Sequence, residues 1–98
     1  MKPVVFLPDA EHEMIEAAVY YESQSSGLGS DYLSEVERAI QAIAKSPMTW
    51  PIVGGELRRR LMKRFPFGML YRIDPEEIVI IAVAHLRRKP GYWRKRIK

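Results

Sequence analysis

His85, Arg88 and Tyr92 stand close together in AHLRRKPGYW, residues 84–93. Their types suit one chemistry. A histidine titrates near neutrality and can take a proton from a ribose 2′-hydroxyl. An arginine can stabilise the charge that then builds on phosphorus. A tyrosine beside them can orient the chain being cut. Together they are a candidate RNA-cleaving set. The plainer alternative is a histidine hydrogen-bonded for structure at a strand end. Tyr92 and Trp93 also have two uses. They can stack a base or anchor a partner, or fold back as an apolar lid. Pro90-Gly91 supplies the bend that either use needs.

The remaining candidates are basic. Arg58, Arg60, Lys63, Arg72, Arg87 and Arg88, with Tyr92 and Trp93, form a binding rim if the segments carrying them are neighbours. Arginine suits such a rim because its planar fork pairs with carboxylate or phosphate and stacks on aromatics. The charge is unevenly placed. Residues 1–49 carry net −5 and residues 50–98 net +9, within a total of +4. That asymmetry points to an anionic partner on one side; a merely solvated face is the alternative. No glycine-rich phosphate loop, HExxH or catalytic-serine pattern occurs. With no cysteine and two isolated histidines, His12 and His85, neither a metal site nor a cofactor is expected.

These residues need a frame. Ninety-eight residues make one domain, 1–98, with a basic tail at 94–98 that is free to be disordered. Hydrophobic residues at 47% and charged residues at 29% fit a water-soluble fold. No stretch of about 18 apolar residues exists to span a membrane. The N-terminus reaches acidic residues too soon for a signal peptide, so a bacterial cytoplasmic location is expected. Val4–Leu7 reads as a buried strand closed by Pro8. A helix capped by Asp9 follows to about Gln24, with Met14, Ala17, Ala18 and Tyr21 at helical spacing and Ile15 and Val19 beside them. Gly27 or Gly29 breaks it. A second helix capped by Ser30 or Asp31 carries the stripe Leu33, Val36, Ile40 and Ile43 and ends at Pro47. After a Pro/Gly-rich connection come Leu57–Lys63, half apolar and suited to an edge, alternating Phe67–Ile73, and Ile78–Ala84, apolar on both faces. Asp74-Pro75-Glu76-Glu77 is a hairpin turn. The order β-α-α-β-β-β gives an α+β fold: a helix hairpin on a small, mostly antiparallel sheet.

ELRRRLMKRFPFGMLYRI followed by IVIIAVAHLRRKPGYW resembles the RelE/ParE toxin superfamily of type II toxin–antitoxin modules, over nearly the whole chain. Phe65-Pro66-Phe67, Leu70-Tyr71-Arg72, Ala84-His85, Arg87-Arg88 and Pro90-Gly91-Tyr92-Trp93 carry the resemblance together. It implies the same fold and a growth-arresting, plasmid-stabilising toxin, held in a hetero-oligomer by a small antitoxin. RelE-like members cleave mRNA on the ribosome; ParE-like members bind and inhibit DNA gyrase without being enzymes. For a nuclease the resemblance implies Arg88 and Tyr92 as the C-terminal arginine and aromatic, which with His85, read above as a candidate base, would make the chemical set His85, Arg88 and Tyr92. Gly68, however, falls where the nucleases carry a basic residue. Arg58, Arg60 and their neighbours replace lysines, and arginine does not deprotonate. The ending resembles ParE more, so gyrase is the expected target.

Overall fold

The computed structural model describes residues 1–97. The chain runs β1 (Val4–Phe6), α1 (Pro8–Gln24), α2 (Leu28–Lys45), β2 (Ile52–Gly54), β3 (Leu57–Leu61), β4 (Phe67–Ile73) and β5 (Ile78–His85). A turn of 3-10 helix at Arg94–Ile97 follows. The strands form one sheet in the order β1-β5-β4-β3-β2. Only the β1–β5 pair is parallel. The expected α+β hairpin-on-sheet architecture is therefore present, with one strand more than expected. That strand, β2, lies in the Pro/Gly-rich connection. It is three residues long and wholly exposed, so it carries no period-2 signal. Its presence removes β3 from the edge.

Both helix starts differ from the expected caps. Pro8, not Asp9, opens α1, because a proline at the first helical position loses no bond and has its φ already set. In α2 the N-cap is Gly27, in the left-handed region at φ 87°, and not Ser30 or Asp31. Glu22, at the end of α1, does the capping. Its carboxylate accepts the Gly27 N–H at 3.0 Å and the Gly29 N–H at 3.0 Å. Those two bonds hold its pKa below the usual carboxylate value.

The hairpin covers one sheet face. Met69, Tyr71, Ile78, Ile80 and Val83 meet Ala10, Tyr32, Val36, Ala39 and Ile43 there, all nearly inaccessible. Each large aliphatic side chain so buried contributes roughly 1.5–3 kcal/mol. Tyr21, Tyr32, Phe65 and Phe67 form an aromatic cluster at one end, with centroids 4.8–6.3 Å apart. Tyr32 takes the inward place expected for Leu33, which is exposed, as are Ile15 and Val19. Helical periodicity allowed either stripe; the cluster selects the one that brings a ring inward.

The second sheet face holds Leu57, Leu70, Val79, Ile81 and Ala82. No helix hairpin covers it. Trp93 and Ile97 pack there instead, so Trp93 acts as the apolar lid. The expected basic tail takes the 3-10 turn Arg94–Ile97 and packs on this face through Ile97; Lys98 lies outside the described residues.

Candidate functional site

Between the second sheet face and the C-terminal segment lies a groove of about 660 Å³. Its floor is Leu57, Gly68, Leu70 and Ala84, and Trp93 and Ile97 form one wall. Arg59, Arg72, Arg88, Lys89 and Arg94 stand around it, with His85 and the single acid Glu56. An apolar floor inside a cationic rim follows from strand alternation. Leu57 and Arg59 share one face of β3, and Arg58 and Arg60 share the other.

That alternation sorts the expected rim. Arg72, Arg88, Tyr92 and Trp93 line the groove; Arg58, Arg60, Lys63 and Arg87 do not. Arg58 donates to the Trp50 and Met48 carbonyls at 2.7 and 3.2 Å, tying down the connection. Arg60 stacks over the Trp50 ring, 5.3 Å from its centroid. Lys63 is exposed in the β3–β4 loop, and Arg87 is exposed beyond β5. Arg59 and Arg94, basic residues of the same segments that the expected rim left out, line the groove as well. The period-2 pattern of Leu57-Arg58-Arg59-Arg60 could have separated Arg59 from its neighbours.

Gly68 has a consequence for Arg59. A Cβ there would lie 3.1 Å from Arg59 Cδ and 3.2 Å from its Cγ. The missing side chain leaves the slot along which the arginine stem lies. A cation therefore stands over the position where β4 itself supplies none. Arg72 is engaged by Asp74, which accepts from its Nε at 2.7 Å and from its second terminal nitrogen at 3.1 Å. Arg88 lies over the Tyr92 ring at 3.7 Å and 3.6 Å from Glu13. Among the described residues, Arg59, Lys89 and Arg94 have no carboxylate within ion-pair distance.

His85 is half-buried, edge-on to Phe67 at 5.0 Å. Its Nδ1 accepts the Arg87 backbone N–H at 3.0 Å. That bond occupies the Nδ1 lone pair.

Glu13, missed in the sequence, is the most connected polar group here. Beyond Ile80, β5 no longer has β1 beside it. Glu13 reaches across from α1 and accepts the Val83 N–H at 3.0 Å. It also accepts the Tyr92 hydroxyl at 2.5 Å and two Arg96 donors at 2.8 and 3.0 Å. Arg96 in turn donates to the Ile81 carbonyl at 3.1 Å. In sequence, Glu13 is one of several acids early in the first helix and Arg96 one of several bases in the tail, so neither type nor spacing pairs them.

Burial pushes the Glu13 carboxyl up. The hydrogen bonds from Arg96, Tyr92 and Val83 outweigh it and hold the pKa below the ordinary 4.5. A depressed folded-state value stabilises the fold above the unfolded value and loses that stabilisation as pH falls through the folded one. Stability should therefore decline below about pH 4.5. The decline should be steeper in the native protein than in Glu13→Gln, which has no carboxyl to protonate there. Urea unfolding at pH 7, 4.5 and 3 checks it.

A helix hairpin on one sheet face and a cationic, apolar-floored groove on the other define a small α+β protein. The family model described as "ParE toxin of type II toxin-antitoxin system, parDE" matches residues 4–90, and the chain belongs to that toxin family. The resemblance read from the sequence is thereby borne out. No curated protein matches. Among solved structures, a chain of the chromosomal ParDE TA system from P. aeruginosa is similar in fold, with a TM-score of 0.65 at 15% identity. The match covers 89% of this chain and 98% of that one.

Proposed function

We propose that the chain arrests bacterial growth by binding DNA gyrase as a protein ligand, and that an antitoxin neutralises it by occupying the groove. The observation that carries this is the groove's make-up: an apolar floor ringed by cations, of which Arg59, Lys89 and Arg94 have no acidic partner among the described residues, with His85 at the groove held through its Nδ1. Such a surface fits a protein segment that alternates carboxylates with apolar side chains. Phosphate alone would leave the floor unfilled. An antitoxin that orders on this face contributes both, and the toxin–antitoxin complex should bury well above about 1,000 Å². No helix among the described residues is long and apolar enough to cross a membrane. Action on gyrase places the protein in the bacterial cytoplasm.

The competing function is RelE-like cleavage of mRNA on the ribosome, with His85, Arg88 and Tyr92 as the chemical set. His85 with Nδ1 engaged and Tyr92 bonded to Glu13 weigh against it. Purified protein should inhibit supercoiling by gyrase and leave ribosome-bound mRNA intact. His85→Ala should retain inhibition to within about tenfold of the native protein, since losing one neutral hydrogen bond costs only about 0.5–1.5 kcal/mol. Cleaved mRNA with unimpaired supercoiling would reverse the assignment.

A further inference from the structure

The segment that forms the groove's wall is tethered at few points. Leu86 donates to the Pro66 carbonyl at 2.8 Å, and no strand pairing follows. The backbone bonds of residues 89–97 are local turns within the segment. Among the described residues, every hydrogen bond from 89–97 to the rest of the chain ends on the Glu13 carboxylate or the Ile81 carbonyl. Arg96 also lies 3.6 Å from Asp9, on the same helix as Glu13. The Glu13 and Arg96 side chains are 10% and 15% exposed, so solvent competes little for this pair.

We infer that Glu13 is the positioning residue of the groove: its carboxylate clamps Tyr92 and Arg96 and thereby holds Arg88, Trp93 and Arg94 as one wall against the sheet. The inference builds on the groove being the working surface. Glu13 itself does not line it. Its reach is indirect, through Tyr92, whose ring carries Arg88, and through Arg96, which sets the turn on which Trp93 and Ile97 face inward. Without the Glu13 carboxylate, the Arg96 bond to the Ile81 carbonyl, its contact with Asp9 and the packing of Trp93 and Ile97 are left to oppose departure of the segment. The same carboxylate closes the Val83 N–H at the open edge of β5, so wall and edge should loosen together.

The test uses the full chain with Trp50→Phe, leaving Trp93 as the sole indole. Glu13→Gln keeps the shape and removes the charge; Arg96→Met cuts the clamp from the other side and covers the case in which the first variant does not fold. Acrylamide quenching of Trp93 should rise at least twofold in both variants. Exchange of the Val83 amide should accelerate at least tenfold in Glu13→Gln, with Ile80 little changed. Combining both substitutions should add little to either alone. Folded variants with unchanged Trp93 quenching and Val83 exchange would overturn the inference. Growth arrest on induction is then read separately. A loosened wall with undiminished arrest leaves the clamp standing and refutes the groove as the working surface.

Discussion

Gly29→Val should cost most of the protein's stability. A Cβ at Gly29 would lie 2.5 Å from the Ala18 carbonyl oxygen and 2.9 Å from Glu22 Cβ. The first contact is with backbone, and that carbonyl is held in the hydrogen-bond ladder of α1. Relief requires the two helices to part where they meet. Parting them also breaks the bonds from Gly27 and Gly29 to Glu22 that start α2. Overpacking a site that can relax costs about 1–3 kcal/mol; this one cannot, and at least about 3 kcal/mol is expected. For a domain of this size that corresponds to a fall in Tm of roughly 12 °C or more. Gly27→Ala provides the contrast. Nothing lies within 4 Å of its Cβ, so it meets only the strain of its positive φ, about 1 kcal/mol. Thermal unfolding followed by circular dichroism compares the two; equal Tm values would mean the helices do not approach as described.

Reversing Arg59 and Arg94 together to Glu should weaken antitoxin binding at least 100-fold, about 2.8 kcal/mol. Both line the groove, and neither is paired with an acid among the described residues. The native fold therefore loses no ion pair, and the effect falls on the partner. Carboxylates facing carboxylates across a closed interface cost several kcal/mol. Lys63→Glu changes the net charge in the same direction from outside the groove, and should alter affinity less than threefold at 0.15 M salt, where exposed charges are screened beyond about 8 Å. Isothermal calorimetry against the co-purified antitoxin separates the cases. A Lys63→Glu loss as large as that of the double variant would mean that net charge, not the groove, governs binding.

The elements with strong periodicity were legible from the sequence. Phe67–Ile73 alternates and Ile78–Ala84 is apolar on both faces, and both became adjoining strands. The short exposed β2 was not legible, because three residues flanked by Pro and Gly carry no pattern. Helix starts misled for a physical reason: Asp9, Ser30 and Asp31 are good caps in isolation, but Pro8 and the distant Glu22 carboxylate set the ends first. Charge pointed to the half of the chain that lines the groove but not to the sheet face that carries it. Arg58, Arg59 and Arg60 are identical in type, and only the packing of Leu57 on the second sheet face shows which of them turns to the groove. The Glu13–Arg96 pair spans 83 residues. It becomes visible only once β1 stops short and leaves the β5 edge to be closed by side chains.

Pulse-labelling of DNA, RNA and protein synthesis in the first minutes after induction of the chain alone tests the central claim most directly. DNA synthesis should fall first, with a rising DNA-damage response. A first loss of protein synthesis, with transcripts cut, would contradict it.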